Sequence, residues 1–213
     1  GGQHICVVNA DVTGSRLDLS VAVGVAYGEA PQWSPDGTQI AYVCFDPDAD
    51  ICVVNADGTG SQLNLSDSVG GDTGNDFAHQ WSPDGSQIAY QCDQGDADIC
   101  VINADGTGTR FNLSDAVGGD TVGDGDPQWS PDGTQIAYDT RDGDFDIAIV
   151  NADGTGSRLN LSDTVGGDTG NDDQPKWSPD GTQIVYDCTD GVPNICIANA
   201  DGTGSRVNLA TTI

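Results

Sequence analysis

Four tryptophans stand at positions 33, 81, 129 and 177, each 48 residues beyond the last. Each opens the same phrase, Trp-Ser-Pro-Asp-Gly-Thr/Ser-Gln-Ile-Ala/Val-Tyr. About eighteen residues later comes a second phrase, in full Asp-Ile-Cys-Val-Val-Asn-Ala-Asp-Gly-Thr-Gly-Ser, whose isoleucine stands at 51, 99, 147 and 195, with an extra early copy at Ile5. Two motifs locked to one period describe a row of like units rather than one irregular core.

Each unit reads as four short strands, A to D. Strand A ends at the Trp, and Pro-Asp-Gly makes a tight turn in which Pro sets φ and Gly takes the positive-φ position. Strand B is Gln39-Ile40-Ala41-Tyr42-Val43-Cys44, rich in β-branched and aromatic residues. A loop of about six residues leads to strand C, Ile51 to Val54, and Asn55-Ala56-Asp57-Gly58 turns the chain into strand D, ending in Leu63-Asn64-Leu65. Gly, Pro and Asp-Gly interrupt every run of ten residues, so no helix is predicted. Four antiparallel strands in a unit of this length, one Trp per copy, are the signature of a β-propeller blade. The fold class is therefore all-β, with about four and a half blades in a single repeat domain over 1–213. A half-blade spans 1–20, and full blades fall at about 29–66, 77–114, 125–162 and 173–209. The Trp and Tyr side chains are expected to pack between neighbouring blades.

These phrases, Trp-Ser-Pro-Asp-Gly-x-x-Ile-x-Tyr followed by Asp-Ile-x-Val-x-Asn-x-Asp-Gly, resemble the repeat of TolB-type propellers. The same repeat occurs in propeller domains of related periplasmic and secreted proteins, including some prolyl-peptidase-like enzymes. The resemblance covers all four full units and implies a propeller in a periplasmic or extracellular setting. The separate N-terminal domain expected of the TolB protein itself is not in these 213 residues, so the resemblance carries fold and compartment rather than a Tol–Pal role.

The half-blade holds only a C strand, Ile5-Cys6-Val7-Val8, and a D strand, Leu17-Asp18-Leu19. The last blade already has its own D strand, so this hairpin lacks an A–B partner. Three explanations stand: a window onto a longer array, completion by another copy through edge pairing, or an atypical five-bladed ring. The start Gly1-Gly2-Gln3-His4 carries no signal sequence and reads as a mature form, a trimmed chain or a fragment.

The cysteines agree with this layout. Cys44/Cys52, Cys92/Cys100 and Cys188/Cys196 are each eight apart, one on strand B and one on strand C. In the blade at 125–162 both positions change together, to Thr140 and Ala148, as a bonded pair requires. Cross-strand neighbours lie near disulfide range. Three intra-blade disulfides are predicted, each closing a small loop and contributing about 2–3 kcal/mol. A zinc site would need other spacing and nearby histidines. Disulfides imply an oxidising compartment. Cys6 is left unpaired; its partner would fall before Gly1 or in another chain.

Charge excludes further classes. Acidic residues number 34 against 6 basic ones, giving a formal charge of −28, and every acid but Glu29 is aspartate. Such a polyanion does not bind nucleic acid, whose affinity comes from Lys and Arg on phosphate, and anionic headgroups repel it. No segment reaches the roughly 20 apolar residues of a membrane helix, so no membrane insertion is predicted. Periodic glycines and 36% apolar residues argue for folding over disorder.

No catalytic constellation stands out. The two histidines are His4, at the terminus, and His79, expected to be partly exposed at a blade entrance; carboxylate pairs recur in every repeat, where a catalytic pair would occur once. The B–C loops hold Asp46/Asp48/Asp50, Asp93/Asp96/Asp98 and Asp142/Asp144/Asp146. Turn aspartates such as Asp36 and Asp57, with their copies, are explained by local bonds to backbone amides. The blade-joining connectors at 66–76, 114–124 and 162–172 are Gly-rich and acidic. Their carboxylates, Asp67, Asp72 and Asp76, Asp115, Asp120 and Asp124, and Asp163, Asp168 and Asp172, are candidate calcium ligands, since Ca²⁺ takes six to eight oxygens; a solvated acidic surface is the competing reading. The first connector, with Val21 and Ala26 in place of Asp67 and Asp72, is apolar and two residues shorter, as if covered by a partner. Asn64, Asn112 and Asn160 each head an Asn-Leu-Ser sequon, which a strand-D consensus explains equally well. The resulting expectation is a non-enzymatic, secreted or periplasmic propeller, with no cofactor beyond a candidate calcium, that binds a protein partner. The alternative is a self-associating structural subunit of an extracellular assembly or filament, with calcium stabilisation.

Overall fold

The computed structural model describes residues 3–11, 13–24, 27–45, 48–68, 74–93, 95–118, 123–141, 143–166, 170–189 and 191–209. The half-blade contributes β1 (Cys6–Val7) and β2 (Leu17–Asp18), followed by α1 (Leu19–Val23). The first full blade is β3 (Gly28–Trp33), β4 (Gln39–Phe45), β5 (Ala49–Asn55) and β6 (Leu63–Asn64), followed by α2 (Leu65–Ser68). The second is β7 (Phe77–Trp81), β8 (Gln87–Asp93), β9 (Ala97–Asn103) and β10 (Phe111–Asn112), followed by α3 (Leu113–Gly118). The third is β11 (Asp124–Trp129), β12 (Gln135–Thr140), β13 (Asp146–Asn151) and β14 (Leu159–Asn160), followed by α4 (Leu161–Gly166). The fourth is β15 (Asp172–Trp177), β16 (Gln183–Thr189), β17 (Pro193–Asn199) and β18 (Val207–Asn208). Each full blade is an antiparallel meander in chain order, and β1 and β2 pair with each other alone. The turn chemistry is as read: Gly37, Gly85, Gly133 and Gly181 have φ between 71° and 74°, and the Asp36 carboxylate accepts from the Ser34 hydroxyl and the Thr38 amide.

The core lies between blades, not within them. The forward face of the first blade (Ala41, Val43, Ile51, Val53, Leu65) is buried against the rear face of the second (Trp81, Ile88, Tyr90, Cys100, Ile102). The second meets the third, and the third the fourth, through the corresponding residues. Ile5 and Leu19 of the half-blade cover Ile40, Tyr42 and Val54 of the first blade in the same way. Three of the four tryptophans also donate the indole N–H backward: Trp81 to the Gln32 carbonyl, Trp129 to that of Gln80 and Trp177 to that of Gln128, at 3.3, 3.3 and 3.0 Å. The first strands take part in these seams, β11 packing on both β7 and β15.

Two expectations are corrected. Helical turns do form, because strand D stops after two residues and the chain coils at Leu-Ser-Asp. The Asn64 side chain accepts from the Asp67 amide, as does Asn112 from Asp115 and Asn160 from Asp163, capping each turn's exposed N–H groups. At α1, Asp18 replaces Asn and Gly24, at φ 77°, closes the turn. Also, Asp50, Asp98 and Asp146 are not loop residues; they lie buried at the start of strand C.

The three cysteine pairs are bonded, Cys44 to Cys52, Cys92 to Cys100 and Cys188 to Cys196, each with a Cα–Cα separation of 5.8 Å. One detail differs from simple cross-strand neighbours, because the bridges run diagonally. Cys44 stands opposite Asp50 and Cys52 opposite Tyr42. In the fourth blade Cys188 stands opposite Asn194, and Cys196 opposite Tyr186 rather than its disulfide partner. Both sulfurs of a pair occupy the rear face, where Cys44 and Cys52 pack around Tyr42 and Cys188 and Cys196 around Tyr186. Thr140 and Ala148 keep that register, opposite Asp146 and Tyr138. The double substitution Thr140→Cys with Ala148→Cys is therefore expected to close a fourth bridge, with a mass two hydrogens lighter and a stability gain of about 2 kcal/mol in non-reducing urea titrations. Persistence of two free thiols would contradict the shared register.

Candidate functional site

The clearest irregularity repeats along the first strands. Ala30, Ala78, Asp126 and Gln174 hold φ of 51°, 50°, 49° and 56°, the left-handed region that non-glycine residues avoid. Each marks a register shift between strands A and B, as between Glu29 and Gln32. A bulge of this kind re-aims the neighbouring side chains, and strained residues of this type gather at functional sites.

On the third and fourth blades these re-aimed residues are acidic. Asp139 on β12 is 9% exposed, and its Oδ1 has no hydrogen-bond partner. Burial, then the charges of Asp126 and Asp173, push its carboxyl up to about 6. Burial and the charges of Asp187 and Asp126 raise Asp173 in turn. Asp139, Gln91, Gly125, Asp126 and Arg141 line a cavity of about 280 Å³ between the second and third blades. Sequence reasoning passed over Asp139 and Gly125. Their signal lay in the repeat itself: Asp139 stands where the first blade has Val43, and Gly125 where the others have Glu29, Phe77 and Asp173.

Six of the nine expected calcium residues lie among the described residues. The carboxylates of Asp67, Asp115 and Asp163 accept from the side-chain amides of Asn64, Asn112 and Asn160. Asp76, Asp124 and Asp172 open the next blade's first strand and are buried. The Asp76 amide bonds the Ala49 carbonyl and the Asp172 amide that of Phe145, each 2.7 Å across the seam; the Asp172 carboxylate lies 3.8 Å from Arg206. Asp72, Asp120 and Asp168 lie outside the described residues. Among the described residues, no three His, Cys, Asp or Glu side chains gather at metal-ligating distances.

The same amides explain the sequons. Asn64 Nδ2 also donates to Asp50 Oδ2 at 2.9 Å, and the Ser66 hydroxyl bridges Asp50 Oδ1 and the Ile51 amide. Asp98–Asn112–Ser114 and Asp146–Asn160–Ser162 repeat this network. Burial still raises the Asp50, Asp98 and Asp146 carboxyls despite these bonds. In the half-blade the pair becomes His4 with Asp18, 3.0 Å apart, an ion pair when His4 is protonated.

His79 is not at an open blade entrance: it is 2% exposed, in the place of Pro31, Pro127 and Pro175. Burial lowers its pKa to about 4, offset only in part by the adjacent Ala41 backbone. Among the cysteines, Cys44, Cys52, Cys92, Cys100, Cys188 and Cys196 are buried and consumed in disulfides, so none offers a thiolate. Cys6 is free and half-buried. The forward face of the fourth blade is uncovered: Ile195 is 47% and Leu209 43% exposed, whereas Ile51, Ile99, Ile147, Leu65, Leu113 and Leu161 are fully buried. A groove lined by Asp173, Asp187, Pro193, Asn194, Ile195 and Leu209 runs along it. At the other end Trp33 is 53% exposed; among the described residues the half-blade offers no first strand to receive it.

Residues 7–211 match the family model described as the TolB beta propeller domain. No curated protein matches the chain. Solved structures with the same fold include one assigned as TolB from Agrobacterium tumefaciens, at 22% identity and TM-score 0.64, over 87% of this chain and 67% of that one. TolB from Acinetobacter baumannii matches at 21% identity and TM-score 0.63, over 97% of this chain and 48% of that one. An oligogalacturonate lyase in complex with manganese matches at 20% identity and TM-score 0.65, over 90% and 52%. The chain thus spans about half the length of the latter two.

Two buried groups set opposing acid responses. The stability secured by neutral His79 is complete above pH 6.5 and lost as the pH falls toward 4. Asp139 has the opposite sign: its buried charge weighs on the fold above about pH 6, and the burden lifts as the pH falls to 3.8. His79→Pro is expected to gain on the parent protein by up to about 3 kcal/mol between pH 6.5 and 4. Asp139→Asn is expected to be the more stable at pH 7.5, with an advantage that shrinks on acidification. Urea unfolding across that range checks both; differences constant with pH would remove the assignments.

Proposed function

Because the chain belongs to the TolB β-propeller family, we propose that it is a non-enzymatic, extracytoplasmic propeller module that presents a blade surface to a protein partner. The observation carrying this reading is the uncovered forward face of the fourth blade. Its pattern is the one that three other blades bury against a neighbour, so its complement is the rear face of a blade or a surface of similar shape and apolarity. The three disulfides support an oxidising compartment. The titratable groups support binding over catalysis: His79 is sealed from solvent, His4 is engaged by Asp18, and the Asp50, Asp98 and Asp146 carboxylates are held in structural networks.

A second reading has its own observation. The chain carries the complementary surface at its other end, where Val8 and Trp33 are exposed and Cys6 is free. Forward face on rear face is a heterologous contact, which propagates into open assemblies when it does not close. In this reading the acidic connectors serve as calcium loops, their oxygen-rich chemistry being the support.

Light scattering over a concentration series, in CaCl₂ and in NaCl at equal ionic strength, separates the two. Self-association predicts a mass that rises with concentration and falls back to the monomer in Ile195→Asp. A monomer at every concentration leaves the heterologous partner alone. Association unchanged by Ile195→Asp would mean the wrong face, and equal behaviour in the two salts would reduce calcium to screening.

A further inference from the structure

Two acceptor oxygens converge in the cavity beside Gly125. At the point where a Cβ on residue 125 would sit, Asp139 Oδ1 is 2.8 Å away and Gln91 Oε1 3.3 Å away. The second blade holds Phe77 at the matching position; at Gly125 the two acceptor oxygens close over the backbone and leave no room for a Cβ. Asp139 is nine-tenths buried and its Oδ1 has no partner, so that oxygen has lost its water without replacement. Arg141 shares the wall and its charge offsets a small part of the burial of Asp139, while its guanidinium is stacked 4.4 Å from the centre of the Phe145 ring. Asp126 of β11 and Asp173 of β15 add their fields to Asp139, with Asp187 of β16 beside Asp173.

The geometry points to a binding site for an organic cation, an ammonium or guanidinium group, in the cavity lined by Gln91, Asp126 and Asp139. Such a group carries several N–H donors and no acceptor, so one cation satisfies the Asp139 carboxylate and the Gln91 carbonyl together. A metal ion fits less well, since among the described residues no three ligating side chains come within reach of one point. The outer carboxylates attract and steer the cation, in a manner that salt screens. The cation is either a lysine or arginine side chain of a partner polypeptide or a free amine. The site does not depend on the terminal face: Gln91, Gly125 and Asp139 belong to the second and third blades, and Ile195→Asp leaves them intact.

The test is an NMR titration of the 213-residue chain with 1,5-diaminopentane and with Nα-acetyl-lysine N-methylamide at constant ionic strength. Saturable shifts at the backbone amides of Gln91, Gly125 and Asp139 are expected. Affinity is expected to fall at least about tenfold in Asp139→Asn and in Gly125→Phe, which supplies the second blade's residue. Asp36→Asn, which removes an equal charge from an exposed turn, is expected to bind as the parent does. Tighter binding of the lysine amide assigns the site to a polypeptide, and tighter binding of the diamine to a free amine. Shifts that grow without saturation, or an equal loss in Asp36→Asn, would reduce the effect to attraction by the net charge and overturn the site. Displacement of the probe by stoichiometric CaCl₂ at equal ionic strength would also overturn it. Should either blade variant fail to fold, Gln91→Leu removes the other acceptor; unchanged affinity there counts against the site.

Discussion

The structure depends on the seam between consecutive blades. A single blade here is a thin meander whose fourth strand is two residues long, and its apolar side chains leave water only against the next blade. The tryptophans fix this seam in register by reaching back to a carbonyl of the previous first strand. Buried indoles with a satisfied N–H combine large apolar area with direction. Stability is then mainly a property of neighbour pairs, as in other repeat proteins. The disulfides bond within blades, where they stiffen one meander, and their buried cysteines also pack into the seam. The third blade, lacking that bridge, keeps the same register as its bonded neighbours.

Aspartate performs three distinct tasks on this background, and they explain how a chain of charge −28 folds. In the exposed turns, hydrogen bonds from Ser and Thr hydroxyls and from backbone amides hold the carboxyls low, Asp180 down to about 2. These charges are solvated and locally bonded, so they cost the fold little. At the start of strand C, Asp50, Asp98 and Asp146 are buried and tie strand C to the strand-D asparagine and the helical turn. A buried carboxylate is tolerable there because both oxygens accept hydrogen bonds. On the first two strands of the third and fourth blades, Asp139 is buried with one oxygen unpartnered and is repelled by Asp126 and Asp173, the latter also by Asp187. Only this third group lacks an account within the fold.

The period of 48 made the architecture legible, because recurring Trp, Pro-Asp-Gly and Asn-Ala-Asp-Gly phrases occupy seams and turns where geometry admits few alternatives. The cysteine spacing was equally direct, since its loss at Thr140 and Ala148 is correlated. What stayed hidden was the tertiary placement of short polar segments. Asn-Leu-Ser-Asp reads as the end of a strand or as a sequon, and only the paired bonds of Asn64 to Asp50 and Asp67 show it to be a helix cap. His79 looks exposed beside a Trp-Ser-Pro phrase, yet it fills a slot built for proline and is sealed by the neighbouring blade. Periodicity predicts which residues share a position, not which face of the bulge each one meets.

In a chain of near-identical units, the columns that vary therefore carry what the constant columns cannot. The position held by Glu29, Phe77, Gly125 and Asp173 differs in every blade, although its backbone setting beside a left-handed bulge residue is the same four times. Packing alone would favour one solution repeated, as it does for the fully buried Ile and Leu of the forward faces. Gly28 shows how a structural demand produces an exception: a Cβ there would lie 2.6 Å from the Tyr42 ring, in the one full blade whose neighbour is a half-blade. Gly125 has no such crowding by a ring. Its missing side chain lets the unpartnered Asp139 Oδ1 and Gln91 Oε1 converge over the backbone, an arrangement that packing does not ask for and a ligand does.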